Sequence, residues 1–194
     1  MEYQIFADEN SIYEMNSKTI NFLIPYNYFS SLVKLNWNDI LFAIEQGYLN
    51  HQSTIEHASL ELSSNLENSP QEIMDLVCLT IEEVVKFPHL IYPYINDLAE
   101  NVSEQKKSET RDKVMYVILN CIFEQKEKLK NPLRLAQLIY AKFDYPESLN
   151  EIAGYISIGT DTFLNFPHEP SEEEIILKWS NYLDQEKARF GKEI

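Results

Sequence analysis

Helix-opening signals recur along this chain from residue 36 onward, and that recurrence constrains the fold more than any other feature. Asn36 is placed to cap a helix starting at Trp37, with Asp39 three residues later near the positive helix end. Trp37, Ile40, Leu41 and Ile44 then form one apolar face, Trp37 anchors it in the core, and Gly47 suits the C-terminal cap. Ser53 and Glu56 have capping-box spacing ahead of Ile55, Ala58 and Leu62. Ser69-Pro70-Gln71-Glu72 combines a capping Ser, a Pro at the first helical position and a Glu at the third. The helix opened there is predicted to run to about Lys86, before Pro88.

The second half carries the same punctuation. A short helix is expected near Pro93, and residues 104–129 read as one long helix stopped by Asn131-Pro132. Its middle, Val114 to Phe123, is apolar nearly all round, as in a helix surrounded by others. The flanks SETRDK and EQKEKLK favour helix over a buried strand there. Asn131-Pro132 restarts a helix through Phe143, and Pro146 opens a short one ending near Gly154. Ser171 to Glu174 is a further capping box, introducing a last helix that ends before Gly191. Only residues 1–35 differ: Tyr3–Phe6 and Thr19–Ile24 are strand-like and suggest a small β-hairpin or extended arm packed on the helices. With four glycines in 194 residues, turn-dense β architectures and glycine-rich phosphate loops are disfavoured. The expectation is an all-α single domain spanning 1–194, a bundle of about seven or eight helices.

Composition fits a folded chain, at 44% hydrophobic and 12% aromatic residues. Cys78 and Cys121 lie in apolar stretches and are expected as buried free thiols, consistent with a reducing cytoplasm. MEYQIFADEN lacks the basic-then-apolar pattern of a signal peptide. The longest near-apolar run, Val114–Ile122, falls short of the roughly 20 residues that span a bilayer. A soluble cytoplasmic protein is the expectation.

Charge is unevenly distributed. Residues 1–102 carry fifteen Asp/Glu and three basic residues (Lys18, Lys34 and Lys86), a net of −12 out of the formal −15. An acidic surface of this kind argues for a cationic partner and against nucleic acid or anionic membranes. On the helix expected at 70–86, Ile73, Val77, Ile81 and Val84 form the core stripe. Glu72, Asp75, Glu82, Glu83 and Lys86 fall within about 60° of Leu79 on the opposite side. The ordinary reading is a solvated face with one exposed Leu. The functional one is an apolar anchor ringed by acids, suited to a basic protein surface. The candidate partner-binding residues are therefore Glu72, Asp75, Leu79, Glu82 and Glu83, with Asp39 and Glu45 as weaker neighbours.

The basic residues at 106–130 interleave with acids, and Glu109–Lys113 and Glu124–Lys128 have the favourable i,i+4 spacing. They read as solvated ion pairs, or as cations facing acidic helices within the fold, rather than as a nucleic-acid stripe. Aromatics cluster at Tyr26–Phe29 and at Phe87–Tyr94. Core packing is their default, and the Pro-punctuated segments are expected to bring some rings to the surface. His51, His57, His89 and His168 form no metal-ligand spacing and read as surface or loop histidines. Neither a Gly-x-Ser-x-Gly elbow nor a Walker motif occurs, so no catalytic, cofactor or metal residue is assigned.

Two stretches resemble a family of small acidic bacterial proteins of uncharacterised function, associated with immunity genes beside secreted polymorphic toxins. They are Leu35-Asn36-Trp37-Asn38-Asp39-Ile40, ending at Gly47, and Ile139-Tyr140-Ala141-Lys142-Phe143-Asp144-Tyr145-Pro146-Glu147, continuing to Tyr155. The resemblance covers most of residues 30–190 and brings no catalytic residues. It implies a cytoplasmic, non-enzymatic immunity protein whose partner is a cognate basic toxin domain, for example a nuclease. The alternatives are a helical scaffold with no toxin target, or a hydrolase or metal enzyme whose site is dispersed along the chain.

Overall fold

The computed structural model describes residues 23–153 and 170–192. The described residues form an all-α fold with no strand. Ten α-helices follow one another: α1 (Tyr26–Leu32), α2 (Trp37–Glu45), α3 (Ser53–Ser64), α4 (Gln71–Cys78), α5 (Ile81–Lys86), α6 (Tyr92–Leu98), α7 (Glu104–Glu124), α8 (Pro132–Lys142), α9 (Asn150–Ala153) and α10 (Glu172–Phe190). Short 3-10 turns at Leu66–Asn68, Pro88–Ile91, Lys126–Lys128 and Glu147–Leu149 link them. The chain divides into two compact units, one ending at Val114 and the other starting at Met115, inside α7. The strand-like Tyr3–Phe6 lies outside the described residues, as does Thr19–Ile24 up to residue 22. Residues 26–32, expected as part of an extended element, are helical, because Pro25 pre-sets the turn that starts α1.

In the first unit, Asn36 and Asp39 form the expected reciprocal cap: the Asn36 side chain accepts from the Asp39 N–H, and the Asp39 carboxylate accepts from the Asn36 N–H. Trp37, Ile40, Ala43 and Ile44 are buried, and Gly47 turns the chain with φ of +75°, a conformation glycine adopts without steric cost. Asp39 does more than cap. Its Oδ2 accepts from Lys113 Nζ at 2.6 Å and its Oδ1 from the Thr110 hydroxyl at 2.9 Å, all three side chains being buried. Lys113 also reaches the Lys34 carbonyl at 3.4 Å. The expected Glu109–Lys113 pair is replaced by this inward contact, because the inner face of α7 carries Lys113.

Two helix starts differ from expectation. Ser53 is the first residue of α3 rather than its cap, and the Asn50 side chain accepts from its N–H and its hydroxyl instead. Ser69 turns back to donate to the Asn65 carbonyl, leaving α4 without a side-chain cap. The helix expected to run from Pro70 to Lys86 is broken. Leu79 is extended (φ −73°, ψ 139°), and Thr80 caps a new helix, α5, in a capping box with Glu83. Of the expected stripe, Ile73 and Val84 are buried, Val77 is half-buried and Ile81 is exposed. Cys78 is exposed as well, while Cys121 is buried.

In the second unit, Met115 to Leu119, Cys121 and Ile122 are all buried, which matches an all-round apolar helix. Trp179 of α10 is fully buried, with its ring edge-on to Phe123 at 5.4 Å. Asn131 caps α8 and Ser171 caps α10 in a box with Glu174, as expected. α9 packs against both α8 and α10. α8 is stopped by two successive left-handed residues, Asp144 (φ 61°) and Tyr145 (φ 57°). Neither is glycine, so this turn holds local backbone strain.

Removing one partner of the buried pair leaves a buried charge without its counter-ion. Lys113→Ala should therefore lower stability by about 3–5 kcal/mol, read as a fall in the urea unfolding midpoint. Lys107→Ala, which removes an exposed pair with Glu104, should leave that midpoint unchanged.

Candidate partner-binding surface

The break at Leu79 redistributes the acidic face. Glu72 and Asp75 stand half-buried on α4, where Gln71 Nε2 donates to Asp75 Oδ1 at 2.9 Å. Glu82 and Glu83 stand exposed on α5. Leu79 is half-buried in the link between the helices, so it is not the centre of a helical face. Glu83 has a structural duty: its Oε2 accepts from the Thr80 N–H at 2.8 Å and from the Thr80 hydroxyl at 2.7 Å. Those bonds hold its carboxyl below the usual range. Glu45 ends α2 and is exposed. Asp39 leaves the set altogether, since it is fully buried beneath Lys113 and Thr110.

Apolar residues supply what the sequence reading missed. Among the described residues, the exposed large hydrophobics concentrate between Leu60 and Phe87: Leu60, Leu66, Met74, Ile81, Val85 and Phe87. Ile81 is 54% exposed and Val85 60%. They are four apart on α5 and therefore on one side of it. The signal was present in the sequence. Thr80-Ile81-Glu82-Glu83 has the same capping-box pattern that locates α10, and applying it breaks the helix at Leu79 and moves Ile81 to a first turn.

One polar cluster resembles a catalytic array but is engaged in holding helices together, with only Glu61 of the set part-exposed. His57, expected at the surface, is buried on α3, with Tyr26 Oη 2.8 Å from its Nδ1 and Glu61 Oε1 3.8 Å from its Nε2. The carboxylate favours the proton on Nε2, leaving Nδ1 to accept from the Tyr26 hydroxyl. Trp37 Nε1 donates to the other Glu61 oxygen at 2.8 Å, and the Trp37 and His57 rings meet edge-on at 4.7 Å. The set therefore braces α1, α2 and α3 to one another. Burial, with Glu56 and Glu61 nearby, raises the Tyr26 pKa to about 12.

A cleft of about 340 Å³ lies between the first turn of α2, at Asn36 and Asn38, and the start of α7, at Lys106 and Glu109. Leu98 and Val102 form its apolar wall. Thr110 and Lys113 also line it, but their polar atoms are engaged with Asp39 and are not available as nucleophile or base. Among the described residues, no three or more His, Cys, Asp or Glu are grouped to hold a metal ion. No helix among them is long and apolar enough to cross a membrane.

Residues 26–187 match a family described as an uncharacterized protein conserved in bacteria, DUF2247, and the chain belongs to that family. No curated protein and no solved structure matches the chain.

Burial also raises the Tyr48 and Tyr116 pKa values. A tyrosine whose folded pKa lies above its unfolded value of 10.0 adds stability below that value and loses it as the pH climbs toward the folded pKa. The urea midpoint should therefore fall between about pH 10 and about pH 12. Tyr26→Phe should make that fall shallower.

Proposed function

We propose that this protein is an immunity-type binding protein that docks on a basic toxin domain and occludes it. One observation carries the reading. Of eleven carboxylates between residues 23 and 102, only Asp39 is buried, while ten reach solvent against two exposed cations, Lys34 and Lys86. Lys113 neutralises the one buried acid of that described segment, so its excess of negative charge stays at the surface. A field of that sign speeds the approach of a cationic surface, and exposed apolar side chains beside it slow dissociation once contact is made. Inhibition then needs no chemistry from the protein, only coverage of the toxin's active surface. The resemblance of the 35–47 and 139–155 stretches to toxin-linked immunity proteins supports the same reading.

Co-expression with the product of the adjacent gene, assayed as a candidate toxin, tests it. The expected result is a co-purifying complex and cells protected from the toxin. Association should slow steeply as salt is raised, and Glu72→Lys/Glu82→Lys should slow it by about tenfold at low salt with an unchanged unfolding midpoint. A protein that neither binds the toxin nor protects the cell overturns the proposal.

A further inference from the structure

We infer that α5 is the anchor point of the acidic surface and that its occupant is a basic amphipathic helix of the partner protein. The inference deepens the proposed function and rests on it for the partner's charge. α5 has six residues, and Val84 alone is buried, while Ile81, Glu82, Glu83, Val85 and Lys86 are all exposed. A six-residue helix is too short to persist on its own propensity. Here the Thr80–Glu83 box and the Val84 contact hold it.

The side chains it displays are those of a recognition helix. At 100° per residue, Ile81 and Val85 lie about 40° apart, with Glu82 about 60° further round and buried Val84 about 60° to the other side. The exposed apolar pair is thus bordered by the core on one flank and by a carboxylate on the other. Phe87 continues the apolar surface immediately after the helix, 43% exposed, with the Lys86 ammonium 5.3 Å from its ring centre. Residues 60–87 hold six carboxylates and one cation, Lys86. Apolar side chains standing beside the exposed Glu82 and Glu83, in a segment of that acidic composition, match a helix with an apolar seam flanked by Lys or Arg. A flat apolar partner would leave the carboxylates desolvated without counter-charges. An acidic partner would be repelled.

A synthetic amphipathic Lys/Leu helix peptide, compared with a shuffled isomer of identical composition, tests this on the full chain. The amphipathic peptide should bind at least about tenfold tighter than the isomer. Its NMR chemical-shift changes should centre on residues 79–87. Ile81→Ser/Val85→Ser should erase the difference between the peptides while leaving the unfolding midpoint unchanged. Ile81→Lys/Val85→Lys serves as a second pair should the serines loosen α5. Equal binding of the two peptides, shift changes away from α5, or a serine variant that still discriminates would overturn the inference. The toxin experiment remains separate. Peptide recognition at α5 without toxin protection refutes the immunity reading alone, and toxin protection by the serine variant with parental affinity refutes the α5 anchor alone.

Discussion

A single carboxylate organises the first unit. Asp39 closes the N-terminus of α2 through its bond with the Asn36 N–H, and the same oxygens meet the hydroxyl of Thr110 and the ammonium of Lys113 on α7. A buried charge costs several kcal/mol to desolvate and is tolerated only when its lone pairs are filled. Here a backbone N–H, a hydroxyl and an ammonium fill them. The ammonium in turn reaches the Lys34 carbonyl, so the segment entering α2 is tied to α7 by the same contact. An apolar pair would hold the two helices together in many registers, whereas this set of donors is satisfied in one. The fold takes direction from that contact more than net stabilisation.

The same pair also decides what the surface looks like. By turning Lys113 inward, the fold removes one of the few cations near the acidic segment and uses it on the one carboxylate that is buried among the described residues. The Tyr26–His57–Glu61–Trp37 brace acts similarly with neutral donors, since Glu61 Oε2 receives the indole N–H and Oε1 faces the imidazole. Polar side chains that would suit an active site are thereby consumed in joining helices. The other described acids between residues 23 and 102 are left reaching water.

Much of the fold was legible in the sequence because capping is a local property. Asn36–Asp39, Asn131-Pro132 and Ser171–Glu174 each set a helix start within four residues, and the structure keeps all three. Where local rules competed, reading was harder. Ser69 preferred the Asn65 carbonyl to the helix ahead of it, and Ser53 gave its N–H and hydroxyl to the Asn50 side chain instead of capping. The apolar period across residues 73–84 masked the Thr80 box, because i,i+4 spacing in the sequence carries straight through the break at Leu79. The partner of Lys113 lay beyond any local rule: Asp39 is 74 residues away, and only tertiary packing selects it over Glu109. The candidate surface was legible as a region and not as a set of side chains. Glu82 and Glu83 are exposed as expected, whereas Asp39 is interior and Leu79 belongs to a link.

The way α5 is held has a dynamic consequence. Its attachment runs through one buried side chain and a flanking link, so opening it costs little compared with opening α7, whose middle turns are buried on every side. Amides of α5 belong to the low-free-energy end of local unfolding, and those of Met115–Ile122 to the global end. An element tethered in this way is able to tilt and re-register on a foreign surface while the Asp39 contact stays intact. Adaptability and rigidity are thus assigned to different helices of the chain.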